Sequence, residues 1–161
     1  MFEKMMDVIR NNTDELSKRV VKDLLSRNET SSFKKISGEL LYERTKDVYH
    51  RLDQWISKKK TTEDMRKVFE ELGSIRFHEG VPLSETILAL ELTKRHLWLM
   101  ILEKHVLDSA FELIHGLELN NKVVLFFDRA IYFAAKGFEE ALKKEVQSHG
   151  DGGFFAKIFK K

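Results

Sequence analysis

Cysteine is missing from this chain, which excludes a disulfide framework and any thiolate site and fits a cytoplasmic setting. Proline occurs once, at Pro82, so long helices can run unbroken over most of the length. Neither sign of charge dominates: 28 Lys and Arg face 26 Asp and Glu, for a net charge of +2. A nucleic-acid surface would show a basic excess on one face, so no nucleic-acid partner is expected. No uninterrupted apolar run exceeds Leu97 to Leu102, far short of the ~20 residues a membrane-spanning helix needs. The start, MFEKMMDVIR, has acids among its apolar residues and lacks the apolar core of a signal peptide. No segment alternates apolar and polar residues for long enough to make a sheet. The eight glycines are scattered and form no phosphate loop.

What is present is helical patterning. With 42% hydrophobic and 34% charged residues in 161 positions, the chain reads as one soluble domain, able to bury about 70% of its unfolded surface. A first helix is expected from about Phe2 to Arg27, with Asn11 to Thr13 as its weak point. Its apolar stripe of Phe2, Met5, Met6, Ile9, Thr13, Leu16, Val20 and Leu24 is thin, and reads equally as a dimer seam or as cover for a core. A loop over 28–32 follows, then helices over 38–58, from Thr61 or Thr62 to Gly80, and from Pro82 to about Asp108. Lys58-Lys59-Lys60 reads as a solvated helix end. Ser109 and Glu112 have capping-box spacing for a short turn or helix, and a last helix spans 119–146. The run LWLMIL at 97–102 is apolar on every side, which predicts a central helix wrapped on every side.

The densest signal is GSIRFHEGVPLSETILALELTKRHLW at 73–98. Gly80 can close a helix in the left-handed conformation and Pro82 can open the next. Around that joint stand Arg76, Glu79, Leu83, Ser84, Glu85, Leu97 and Trp98. A second patch carries Asn120, Asp128, Arg129, Tyr132 and Phe138. In both patches, over roughly residues 10–142, the chain resembles the N-terminal domain of the RsbR-type stressosome proteins, the RsbRD-N family. The resemblance implies an all-α, globin-like bundle of about five or six helices. It implies a bacterial, cytoplasmic, non-enzymatic sensor or regulatory module for stress signalling. In relatives an output domain follows such a module. The 161 residues are expected to act without one, so the expected routes of action are a signalling protein partner, a homodimer or the tail.

Chemistry is sparse. Glu112 and His115 form one Glu-x-x-His pair and Asp47 and His50 a mismatched second. A di-iron bundle needs two such pairs and two more carboxylates, and no zinc-ligand spacing stands out, so no metal is expected. Ser84 and His78 lie near each other in sequence, but a first-turn serine competes for backbone donors. No catalytic residue and no cofactor are therefore assigned. The alternative is a haem- or other cofactor-binding globin-like sensor, for which His96, His105 and His115 are the possible ligands. A small apolar ligand would be expected between the last two long helices, near Trp98, Ile101, Phe127 and Ile131. Residues 1–149 are read as one domain, and 150–161 as a flexible Gly-rich linker with a basic aromatic tail. In that tail Phe154, Phe155, Phe159 and Lys160 are candidates for contact with a partner or with a membrane surface.

Overall fold

Short side chains set the helix boundaries. The computed structural model describes residues 2–149. Among them are six α-helices, α1 (Phe2–Asn11), α2 (Thr13–Ser26), α3 (Gly38–Ile56), α4 (Thr62–His78), α5 (Leu83–Glu103) and α6 (Ala110–Ser148), and one 3-10 stretch at Asn28–Lys35. The described residues are all-α, with seven helical elements where five or six were expected. The first expected helix is two, because the chain breaks at Asn12. Thr13 does not cap α2; its hydroxyl donates back to Ile9 O at 2.9 Å. The expected loop at 28–32 winds instead into the 3-10 stretch, where the Thr30 hydroxyl donates to Leu24 O at 2.6 Å.

Helix starts follow the capping chemistry. The Ser37 hydroxyl accepts from the Leu40 N–H at the start of α3. Thr61 with Asp64, and Ser109 with Glu112, form reciprocal capping boxes that satisfy donors in the first turns of α4 and α6. The second box opens a single helix of 39 residues, where a short turn and a separate last helix were expected. Nothing between Glu112 and Leu119 breaks the helix, since Gly116 is an isolated glycine that a helix tolerates at modest cost.

Helix ends follow backbone conformation. Gly80 has φ +71°. Its N–H reaches Phe77 O, and the N–H of Val81 reaches Arg76 O, both at 3.0 Å. This is the Schellman closure expected of a glycine there. Pro82 stands just outside α5, with ψ 152°. Lys58 closes α3 in the same way, at φ 59° without the freedom of glycine. α5 stops at Glu103, short of Asp108, where His105 turns to φ 53°.

The core lies between α6 and the other helices. Met5, Met6, Ile9, Leu16, Val20 and Leu24 are all buried in it, so the thin stripe of the first helices covers the core and is not free to serve as a dimer seam. Phe126 on α6 sits in an aromatic cluster, 5.6 Å from Phe69, 5.2 Å from Phe127 and 5.9 Å from Trp55, with tilted or perpendicular rings, the arrangement that ring quadrupoles favour. Tyr49 on α3 is fully buried and donates to Thr93 O on α5 at 2.7 Å. Burial pushes its hydroxyl far above the ordinary range, so it stays a donor. The LWLMIL segment is not wrapped all round. Leu97, Met100 and Ile101 are buried, but Leu99 is 42% and Leu102 60% exposed.

The most extensive helix pairing is that of α4 with α6. Gly73 and Gly137 make it possible. A Cβ on Gly73 would lie 1.9 Å from Ala134 O, and one on Gly137 would lie 1.8 Å from Glu70 O. Each glycine faces backbone, which cannot swing aside as a side-chain tip can. The small Ala134 allows a close approach, and the two glycines set its depth. Gly137→Ala is expected to lose about 3 kcal/mol, the upper part of the range for overpacking, despite the gain in helix propensity of ~1 kcal/mol. Urea melts of the two proteins measure it, and an unchanged or raised stability would show that the helices can part at no cost.

Candidate functional site

The sequence around Gly80 builds a polar joint between four elements. Arg76, in the last turn of α4, is buried. Its Nη1 donates to Glu79 Oε1 at 3.0 Å, and Nη1 of Arg44, from α3, donates to the same oxygen at 3.0 Å. The Arg76 guanidinium also lies over the Phe33 ring at 5.6 Å, a cation–π contact with the 3-10 stretch. Lys35 Nζ donates to Gly80 O at 3.1 Å. Glu85, in the first turn of α5, accepts from the backbone N–H and the hydroxyl of Ser32 at 3.0 and 3.1 Å. Both glutamates stand at helix ends. Glu85 is in its favourable place. Glu79 stands at the unfavourable end of α4 and is held there by two guanidiniums.

Charge shapes this cluster. Desolvation, and then the nearby Arg44 charge, lower the Arg76 pKa, with Glu79 acting the other way. For Glu79, burial pushes the pKa up, but the Arg44 hydrogen bond and the charges of Arg76 and Arg44 outweigh it and hold the carboxyl below its usual range. Two cations share one carboxylate, so the cluster carries one excess positive charge.

Beside it, between α3 and α4, runs an open groove of about 340 Å³. Val48, Val68, Phe69, Leu72 and Ile75 form its apolar wall, and Arg44 and Arg76 close one end. Arg51 and Asp47 lie on its rim and are paired with each other at 2.7 Å. Sequence reasoning missed the groove. Arg44 was not singled out, because the spacing between it and Arg76 carries no motif.

The expected ligand site lies elsewhere. Ile101 and Phe127 are buried in the core, and Trp98 and Ile131 are half-buried and packed against it. None of the four lines this groove. The Trp98 indole N–H is buried without an acceptor among the described residues, a state that costs about 1–3 kcal/mol when nothing else matches the donor. Of the possible haem ligands, His96 is tied to Asp23 by Nε2 at 2.7 Å. His105 is exposed, and His115 lies 3.5 Å from Glu118. None of the three faces the groove, so a haem iron is offered no proximal ligand there. No group of three His or acidic residues among the described residues is placed to hold a metal ion. Glu112 serves as a cap and accepts from Lys4, and His50 is exposed on α3. His78 and Ser84 share no hydrogen bond. Phe154, Phe155, Phe159 and Lys160 lie outside the described residues.

A second surface was also missed. On α6, Phe111, Leu113, Ile114, Leu117, Leu125 and Tyr132 are all about half or more exposed, Leu117 at 62%. Ile114, Leu117, Leu125 and Tyr132 fall on one side of the helix, with the exposed Asn121 and Asp128 among them, roughly opposite the buried face of Val123, Phe126, Ala130 and Ala134. The signal was legible: the segment FELIHGLEL holds more large apolar residues than one helical face can bury.

Because the folded-state pKa of Glu79 is depressed, its contribution to stability is complete above the ordinary carboxylate value and is lost as pH falls through the folded-state value. Glu79→Gln is therefore expected to be less stable than the natural protein at pH 7, with the gap closing below about pH 4, where an unfolded-chain glutamate is protonated. Urea midpoints at the two pH values measure it, and a gap unchanged with pH would show that the charge is not what holds the joint. At Gly80 the strain is conformational. Gly80→Val is expected to lose more than ~1 kcal/mol, because a β-branched residue at positive φ is an outlier, and a melting temperature equal to that of the natural protein would refute it.

Comparison with known proteins identifies the fold's relatives by family. No curated protein matches the chain and no solved structure matches it. The family described as the RsbT co-antagonist protein rsbRD N-terminal domain matches residues 14–151, a span that takes in the arginine–glutamate joint, the glycine crossing and the α6 stripe. The chain belongs to the RsbT co-antagonist rsbRD N-terminal domain family and is a stressosome-related regulatory domain.

Proposed function

We propose that this domain is a non-enzymatic signalling module that works through helix-to-helix contacts, pairing with a second copy along the exposed stripe of α6. The observation that carries the reading is that stripe. A helix that buries one apolar face in its own core has no need of a second, and an exposed apolar patch of this kind marks an interaction surface. Ile114, Leu117, Leu125 and Tyr132 extend over five turns. An isologous pairing uses one patch on both subunits and closes on itself. The family supports the regulatory role. The module is proposed to signal by protein contact in the bacterial cytoplasm; no helix of the described residues is long and apolar enough to cross a membrane. A small ligand with an acceptor group near Trp98 fits the same reading, since the buried indole N–H lacks a partner there.

Sedimentation decides the pairing. The chain is expected to run as a dimer, and Leu117→Glu with Leu125→Glu as a monomer. A charge placed on an exposed position costs the folded monomer little, usually within ±0.5 kcal/mol, so the melting temperature of the variant should hold apart from the dimer contribution. A natural chain that sediments as a monomer at high concentration, or a variant that stays dimeric, would overturn the assignment of the stripe.

A further inference from the structure

We infer that the groove between α3 and α4 binds a small amphiphilic carboxylate, its head group on Arg44 and Arg76 and its apolar chain along Val48, Val68, Leu72 and Ile75. The site stands apart from the α6 stripe and does not depend on the pairing proposed for it.

Three observations support this. The first is shape. A groove of about 340 Å³ falls within the size range of small-molecule sites, and it has the expected character, an apolar wall with a few convergent polar groups. The second is an unmatched charge. The Arg76 side chain is only 8% exposed, yet among the described residues its one hydrogen bond is to Glu79 Oε1. A guanidinium has five donors in a fixed fork, and here the acceptor is shared with Arg44. None of the Arg76 nitrogens is buried without a partner, so the donors not used on Glu79 remain open to solvent and to a ligand. A single carboxylate bound beside Glu79 would take the place of solvent at those donors and neutralise the excess positive charge, and the fork geometry of arginine suits a carboxylate. The third is the placement of the remaining charges. Arg51 and Asp47 neutralise each other. Glu43 and Glu71 are exposed, where water and salt screen them. The desolvated end of the groove is therefore positive and its length is apolar, which fits an anionic head on an apolar chain and disfavours a cation or a bare anion.

The test uses the whole protein and a series of straight-chain carboxylates, hexanoate, octanoate and decanoate, with decanol as the neutral control. Calorimetry gives affinity, and methyl resonances of Val48, Val68, Leu72 and Ile75 give location. Each added pair of methylenes is expected to tighten binding by about four- to fifteenfold, from half to full burial of the chain. Decanol should bind at least about tenfold more weakly than decanoate, the scale of one charge-assisted hydrogen bond. Arg44→Gln, at a half-buried position, should weaken decanoate at least about tenfold and leave decanol unchanged; Arg76→Lys, which keeps the charge and removes the fork, is the second variant in case the first alters folding. No binding of decanoate at about 1 mM, a binding free energy of roughly −4 kcal/mol, would overturn the inference. So would equal affinity for decanoate and decanol in all proteins. Shifts confined to the methyls of Leu117 and Leu125 would overturn it as well, by placing the ligand on the α6 stripe instead.

Discussion

The crossing of α4 and α6 at Gly73 and Gly137 is the constraint that the remaining packing obeys. The two backbones meet with no room for a single methyl on either side. At that separation, dispersion contacts run between main chains, where no side-chain entropy is lost. The crossing also fixes what each helix can offer its other neighbours. On α6 it assigns the side of Ala130, Ala134 and Gly137 to the interior and leaves Ile114, Leu117, Leu125 and Tyr132 facing out. On α4 it sets one side, with Phe69 against Phe126, hard against α6, while Leu72 and Arg76 look toward α3.

The groove follows from that asymmetry. α4 packs far more closely on α6 than on α3. A helix drawn tightly to one neighbour stands back from the other, and the space left on the α3 side is too open for the available side chains to fill. Polar groups bridge it at one end. Arg44 reaches across from α3 and Arg76 from α4, and Glu79 joins them. This joint is costly, since it takes ions out of water, and replacing such clusters by apolar residues is often neutral or stabilising. Its cost is reduced by the partial exposure of Arg44 and Glu79, about a quarter of each side chain.

Much of this was legible in the sequence, and the boundaries of legibility are physical. Helix ends marked by short-range chemistry were readable: Ser109 with Glu112, Thr61 with Asp64, and Gly80 before Pro82 all act within a few residues. The buried face of α6 was readable because its period is set by the helix itself. The uniform reading of Leu97 to Leu102 failed because an apolar run states composition, while burial depends on how many neighbours arrive, and none covers Leu102. The stripe of the first helices could have been seam or core by pattern alone, and only the fold assigns it to the core. Gly73 and Gly137 are 64 residues apart and look like two weak points in two helices until they are placed face to face. The partnership of Arg44 with Glu79 is invisible for the same reason.

The position of the joint on α4 connects these parts. Gly73 and Arg76 are one turn apart on a helix, so the residue that sets the distance to α6 and the residue that closes the groove belong to one rigid segment. Packed interiors deform little and prefer discrete arrangements to gradual ones. A helix pinned by backbone contact on one side and bridged by a few polar bonds on the other has an unequal freedom: it cannot approach α6 further, and its loosely held side faces α3. A change in charge or occupancy at Arg44, Arg76 and Glu79 therefore acts on the side of α4 that can yield. The glycine contact leaves α4 no room to move closer to α6 without pushing it. α6 is also the helix whose outer face is exposed to a second chain, so the groove and the interaction stripe, though on different helices, are joined by the tightest contact in the domain.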